Sequence, residues 1–317
     1  MFCVKENISE GFKELKIENS DTGEFISIAP SFGANVNELV LSKNRTLHSL
    51  LAGNHTSGDF SGKNVFKGAK LLPFPNRIED GKYSFEGKSY NLDLNYPEEN
   101  NACHGFIYDK EFSVSNIMED KDNFSITFLY HYSGALPGYP FPFMAYITYT
   151  LSSSDGFKCR TRVENLGQTS MPAGDGWHPF FTFNTPVDEL LLRFPAEKKI
   201  EVDERLLPTG TKKAFSAFNV LKKIERVEFD TCFALHPDSS GIQTSELYSA
   251  DKDVTLQLCQ EIGPDKYNYL QIYTPPNRKS IAIEPMTCNI NAFNNLEGLI
   301  ILEPGEIFSA EYGVKLL

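Results

Sequence analysis

The feature that most limits the fold is the rhythm of short alternating runs. Phe124-Ser125-Ile126-Thr127-Phe128-Leu129-Tyr130, Phe143 to Leu151 and Phe157 to Asn165 each place apolar or aromatic residues at every second position. Alternate side chains of a strand point to opposite faces, so a period of two marks half-buried strands. Turn residues separate the runs every eight to twelve positions, the spacing of a sandwich or barrel. The same pattern continues in Val227–Asp230, Val254–Leu258, Tyr269–Tyr273, Ser280–Glu284, Leu299–Leu302 and Phe308–Val314. Earlier, 24–30 and 34–41 form an opening pair of strands, and Glu86-Gly87 turns a hairpin between Lys82–Phe85 and Lys88–Leu92. No long amphipathic helix, linker-like composition break or fixed-period repeat interrupts the series. The expectation is one all-β antiparallel domain over 1–317.

Composition narrows the partners. The net charge is −12 and no basic stripe is visible, which disfavours nucleic acid and anionic membranes. No run approaches 18 apolar residues, and Met1–Asn7 lacks a signal-peptide core. Six scattered cysteines without a C-x-x-C pair argue against a structural zinc site and fit reduced thiols in the cytoplasm. There is no G-x-G-x-x-G, G-x-x-x-x-G-K-[ST], H-E-x-x-H or G-x-S-x-G, so nucleotide cofactors, zincin chemistry and a serine elbow are not expected.

Two stretches carry candidate chemistry. Gly174 to Phe183 reads as a strand with Gly174, Gly176, His178 and Phe180 on one face, the glycines leaving space beside the imidazole and Trp177 facing the core. Ser280, Ala282 and Glu284 likewise share a face, and Pro285 is expected to break the pairing and open the strand end. The amide-rich run Asn289–Asn295 follows and strengthens the case for a cleft. His104-Gly105 closes a second irregular loop, with Gly105 permitting close backbone approach. Asn76-Arg77 ends a proline-stiffened segment from Lys70 and offers amide and guanidinium donors. Asp230 points away from the apolar side of its strand. The loop at 52–64 is expected to border the pocket. Taken singly, each residue also fits a structural role. Together, a carboxylate, imidazoles, an amide and a guanidinium suit proton transfer on a polar, uncharged ligand such as a sugar.

In order along the chain, these elements resemble the aldose 1-epimerase (galactose mutarotase-like) family. Asn76-Arg77-Ile78 with Gly81, Tyr83, Phe85 and Gly87 is similar to its N-R-I element. His104-Gly105, Gly138-Tyr139-Pro140, Gly176-Trp177-His178-Pro179-Phe180-Phe181, Ala282-Ile283-Glu284-Pro285 and Pro304-Gly305-Glu306 match further elements. The resemblance implies a large antiparallel β-supersandwich that interconverts α and β anomers of a free aldohexose with no cofactor and no metal. It implies Glu284 as base at the anomeric hydroxyl and His178 as acid at the ring oxygen. Asn76, Arg77 and His104 would hold or polarise the sugar, and Asp230 would accept from its hydroxyls. The expected partner is a small-molecule sugar, for a monomer or homodimer. Two alternatives stay open: a hexose-6-phosphate epimerase, using Arg160 and Arg162 or Lys212 and Lys213, and a non-catalytic sugar-binding β-sandwich.

Overall fold

Antiparallel pairing accounts for every strand pair in the computed structural model, which describes all residues except Glu10 and 62–65. A nine-stranded sheet runs in the order Ser113–Glu119, Asn123–Tyr132, Phe143–Ser152, Gly156–Asn165, Ile307–Leu316, Val254–Glu261, Ile242–Ser249, Leu191–Arg193, Lys222–Lys223. A six-stranded sheet runs Phe180–Phe181, Ile281–Met286, Tyr269–Tyr273, Asp230–Leu235, Ala196–Val202, Pro208–Ala214. A third holds the first five strands, Phe2–Ser9, Phe12–Asn19, Phe25–Ala29, Asn35–Lys43 and Thr46–Ser49. One contiguous apolar core draws on all three: Ile26 and Val36 from the five-stranded sheet, Ile147 and Val314 from the nine-stranded, Ile281 and Ile283 from the six-stranded. The chain is thus all-β, as its alternation predicts.

The strongest runs fold where their period places them. Asn123–Tyr132 pairs with Phe143–Ser152 in continuous register, Phe128 opposite Ile147, and buried residues alternate with half-buried ones. The hairpin turns at Glu86 (φ 49°) and Gly87 (φ 75°), the two left-handed positions of a type I′ turn.

Several expectations need correction. The opening residues make five strands, not two: Phe2–Ser9, Phe12–Asn19 and Thr46–Ser49 join the expected pair, the first and last of them as edge strands with weak apolar patterning. Met171–Ala173 and Phe180–Phe181 belong to different sheets, so 174–183 is not one strand. Residues 174–179 instead pass between two neighbours, bridging singly at Gly176–Met286 and Lys70–Trp177. Pairing does not stop at Pro285 either: Ile281–Met286 runs through it, Pro285 opposite Leu270, and the Pro285 carbonyl accepts the Trp177 N–H at 3.2 Å. The strand expected over Val227–Asp230 begins at Asp230. Among the described residues no helix is long and apolar enough to cross a membrane.

Candidate active site

One face of the six-stranded sheet carries the candidate chemistry. Glu284 lies opposite Gln271, Gln271 opposite Cys232, and Phe180 opposite Ala282. Directly paired residues share a face, as do i and i+2 on one strand. Glu284, Gln271, Tyr273, Asp230 and Phe180 therefore project to the same side, and His178, two residues before Phe180, joins them. A cleft of about 710 Å³ opens over this face and is lined by all six. The opposite parity buries Ile281, Ile283 and Phe181 in the core. Trp177 lies there too, fully buried and stacked on Tyr312 at 4.9 Å and 12°.

The facing wall comes from Asn76, Arg77 and His104. Asn76 (φ 58°) and His104 (φ 65°) both adopt left-handed backbone. The Asn76 N–H donates to His104 Nδ1 at 3.1 Å, and the His104 N–H returns to the Asn76 carbonyl at 2.9 Å. An acceptor at Nδ1 puts the ring proton of a neutral imidazole on Nε2. Burial pulls His104 well below the usual histidine range, with His178 and Arg77 adding to the shift, so the ring stays neutral. Gly105 allows this closure: a Cβ there would lie 2.1 Å from the Leu72 carbonyl oxygen. The Asn76 carboxamide oxygen accepts from the Arg77 N–H (3.0 Å) and Nη1 (3.2 Å). Its amide nitrogen donates to Gln271 (3.3 Å), whose own amide donates to Asp230 Oδ1 (2.7 Å). This polar chain ties the wall to the sheet. Gln271 was not singled out from the sequence, where it reads as an ordinary polar position on an alternating strand.

His178 Nε2 lies 3.5 Å from Glu284 Oε1. Phe66 and Phe180 flank the imidazole in near-parallel planes, 17° and 13° from it. Burial, more than any neighbour, shifts both groups toward their neutral forms. Glu284 is pushed well above the usual carboxylate range, with Asp230 adding and Arg77 opposing. His178 is pulled down to about 3. The reference expectation of an anionic Glu and a partly cationic His, each favouring the other's charge, is therefore outweighed by desolvation. Among the described residues, Arg77 Nε, His178 Nδ1 and Glu284 Oε2 are buried with no hydrogen-bond partner. Unsatisfied buried groups of this kind are costly unless something else supplies their partners.

Other expected features fall elsewhere. Gly174 and Gly176 do not make room for a ligand. A Cβ on Gly174 would meet Cys288 Sγ at 2.6 Å and Pro75 at 3.0 Å, and one on Gly176 would meet Pro75 at 3.0 Å. The glycines let Pro75, beside Asn76, pack against the His178 segment. The 289–295 run does not line the cleft but braces it: the Asn291 N–H donates to the Arg77 carbonyl (2.8 Å) and its Oδ1 accepts from the Glu79 N–H (3.1 Å). The loop expected at 52–64 does border the cleft, through Ala52, Gly53, His55 and Asp59; 62–65 lie outside the described residues. Arg160 and Arg162 pair with Glu311 and Glu164, and Lys212 and Lys213 with Glu297 and Glu201, away from the cleft. Among the described residues, the lysines lining the cleft are Lys67 and Lys279.

Behind the site sits an ion pair that sequence inspection missed. Lys70 Nζ contacts Asp175 Oδ2 at 2.8 Å, and the Tyr267 hydroxyl donates to the same oxygen at 2.6 Å. Lys70 and Asp175 are both fully buried.

A sequence profile of the family described as aldose 1-epimerase matches residues 16–315. The chain is 30% identical to an uncharacterised Escherichia coli K12 protein, YihR, over 78% of its own length and 79% of that protein's. It is 26% identical to galactose mutarotase of Rattus norvegicus over 51% of its length and 47% of the rat protein's. Among solved structures, a galactose mutarotase-like protein of Clostridium acetobutylicum superposes with TM-score 0.88 at 24% identity, covering 100% of this chain and 98% of the other. An aldose epimerase homologue from C. elegans gives 0.81 at 18% identity, with 100% and 99% covered. At these identities the two structures speak to the fold.

Proposed function

The chain belongs to the aldose 1-epimerase family, and from that premise we propose that it interconverts the α and β anomers of a free aldohexose by acid–base ring opening and reclosure. The observation that carries the proposal is the His178–Glu284 pair, 3.5 Å apart on the floor of a cleft rimmed by Arg77, His104 and Asp230. Mutarotation needs a base at the C1 hydroxyl and an acid at the ring oxygen, two adjacent atoms of one molecule. The pair shares one proton, and its reactive tautomer, with that proton on His178 and a carboxylate at Glu284, meets that need.

Glu284 takes the hydroxyl proton while His178 protonates the ring oxygen, and the C1–O5 bond breaks. Afterwards Glu284 is a neutral acid, His178 a neutral base, and the sugar an open-chain aldehyde. Rotation about C1–C2 presents the other carbonyl face, and closure reverses both transfers. The burial shifts act in the useful direction. A carboxylate with a raised pKa is a stronger base, and an imidazolium with a lowered pKa is a stronger acid. The low-dielectric cleft thus favours the proton arrangement that accompanies the open chain. His104, held with its proton on Nε2, acts as a permanent donor to the sugar; Arg77 adds charge-assisted donors, and Asn76 and Asp230 orient them and the hydroxyls. The partner is a small sugar. The galactose mutarotase among its relatives makes hexoses the first substrates to try.

A polarimetric panel of freshly dissolved α-D-glucose, α-D-galactose and glucose 6-phosphate, with His178→Ala as control, tests the assignment. Anomerisation by the wild type and its loss in the variant are expected. Sugar binding without anomerisation would instead identify a carbohydrate-binding module. A strong preference for the phosphorylated sugar would turn attention to Lys67 and Lys279.

A further inference from the structure

Ladder bonds are scarce where the reacting pair meets. Gly176 bridges Met286 and Phe180 pairs with Ala282 in one register, which sets His178 opposite Glu284, Trp177 opposite Pro285 and Pro179 opposite Ile283. In an antiparallel ladder, the pairs on either side of a non-bonded pair each exchange two N–H···O bonds. Here both flanking pairs contain a proline, which has no N–H to give. The Trp177 N–H reaches the Pro285 carbonyl at 3.2 Å, and Pro285 can return nothing. On its other side the same segment is well tied. The Gly68 N–H donates to the His178 carbonyl (2.9 Å), the His178 N–H to the Ala69 carbonyl (3.0 Å) and the Leu71 N–H to the Gly176 carbonyl (2.9 Å). His178 thus forms one unit with residues 68–71, and the prolines thin the ladder that joins this unit to the Glu284 strand.

The core behind this seam supplies another tie. Asp175 and Trp177 have the parity opposite to His178, so the Asp175 carboxylate points inward. Its Oδ2 accepts from Lys70 Nζ at 2.8 Å and from the Tyr267 hydroxyl at 2.6 Å. Its N–H donates to Thr287 Oγ1 at 2.9 Å, and its carbonyl accepts the Thr287 N–H at 2.9 Å. Lys70 belongs to the His178 unit. Tyr267 leads into Tyr269–Tyr273, the strand that sets Gln271 opposite Glu284, and Thr287 follows Ile281–Met286 directly. Asp175 therefore joins the element that carries the imidazole to the two strands that place the carboxylate. Lys70 Nζ also lies 5.0 Å above the Tyr312 ring, which stacks on Trp177. Apolar side chains of like volume commonly serve stability as well as such a buried pair. Asp175 Oδ1, moreover, has no hydrogen-bond partner among the described residues. What the arrangement provides is direction, through hydrogen bonds of set length where apolar contacts would let the seam slide.

We propose that Asp175, held by Lys70 and Tyr267, is a positioning residue that sets the separation of His178 from Glu284. This rests on the mutarotase reading and adds to it a group that touches neither the sugar nor the reacting atoms. The two proton transfers need both side chains to reach adjacent sugar oxygens together, and a misplacement of about 1 Å can cost on the order of 10² in rate. Sugar binding, assigned to Asn76, Arg77, His104 and Asp230, does not run through Asp175, so the tie acts on kcat and leaves KM alone.

The test separates position from stability. Tyr267→Phe removes one hydroxyl and almost no packing volume, whereas Lys70→Met with Asp175→Leu replaces the ion pair by apolar side chains. Polarimetry of α-D-glucose and α-D-galactose gives kcat and KM for each, beside a thermal melt. Both variants are expected to melt cooperatively above the assay temperature and to keep KM within about threefold. The expected fall in kcat is about threefold for Tyr267→Phe and at least about tenfold for the double variant. Wild-type kcat in both folded variants overturns the positioning role, as does a loss carried by KM alone. A loss equal to the fraction unfolded at the assay temperature overturns it too. Should the double variant not fold, Tyr267→Phe decides, and an unchanged kcat there overturns the proposal. Wild type that anomerises neither sugar overturns the mutarotase reading, and the positioning role with it.

Discussion

His178 Nε2 and Glu284 Oε1 lie 3.5 Å apart, His178 just ahead of the Phe180–Phe181 strand and Glu284 within Ile281–Met286, and burial drives both toward neutrality. A pair this close behaves as one titrating unit that holds a single proton over a wide range. Glu284→Gln, which cannot accept the hydroxyl proton, is expected to lose at least ~10² of the mutarotation rate. His178→Ala should lose a comparable factor, and the double variant little more than the worse single, because the two groups act as a unit. Initial rates by polarimetry decide this; near-wild-type turnover by either variant would falsify the assigned roles.

The pH profile follows from the same pair. Its acid limb belongs to the second proton, which His178 accepts only near pH 3. Its alkaline limb belongs to the loss of the last proton, governed by Glu284 and lying well above the ordinary carboxylate value. A plateau of kcat/KM is expected between the two limbs, with no acid limb near 6.5. An inflection there would mean that His178 titrates like a free imidazole.

Stability should move opposite to activity at position 284. The folded Glu284 carboxyl has a raised pKa, so the native state holds its proton at pH values where the unfolded chain has released it. Its contribution is full below about 4.5 and is lost as pH rises through the folded value. Glu284→Gln removes that loss. Melting temperatures of variant and wild type should diverge in favour of the variant as pH rises above about 4.5; a difference that stays constant as pH rises from there would contradict the raised pKa.

His104 offers a cleaner separation of fold from function. Its φ of 65° suits Asn, which tolerates left-handed backbone, while Asn is too short to bring a donor to the position of Nε2. His104→Asn is expected to keep a near-wild-type melting temperature and lose about 10- to 10²-fold in kcat/KM, the value of a charge-developing hydrogen bond. An unchanged kcat/KM would remove His104 from the site.

The Lys70–Asp175 pair predicts a cycle rather than a single value. Lys70→Met leaves an uncompensated buried carboxylate and should cost about 3–5 kcal/mol, whereas Lys70→Met with Asp175→Leu should cost less than that single change. Denaturant titration of both variants measures the difference. A double variant less stable than Lys70→Met would show that the pair is worth more than apolar replacement.

How far the sequence was legible depended on where each signal resides. Asn123–Tyr132 and Phe143–Ser152 were readable because one face is buried along their whole length. Pro208–Ala214 was not, since it is exposed on both faces and has no period to detect. His178 and Glu284 stood out as titratable groups among small or aromatic neighbours. Gln271 did not, because its partners Asn76 and Asp230 lie 195 and 41 residues away. Lys70 and Asp175, 105 residues apart, reveal themselves only as a pair. The glycines of the His178 segment misled for a related reason: an absent side chain signals space, but which neighbour fills it, here Pro75, is decided by the tertiary fold.

The His178 segment is held on one side by Gly68 and Ala69 and on the other by Pro285 and Thr287. Residues 112 positions apart, Asp175 and Thr287, must therefore meet before the imidazole has a fixed place. During synthesis or refolding, the early sheets and the Asn76–His104 clip are free to form first, yet His178 and Glu284 come together only when the Ile281–Met286 strand inserts. Such long-range closure is entropically slow. Recovery of mutarotase activity should thus be among the last events of refolding, lagging behind the return of β-sheet signal.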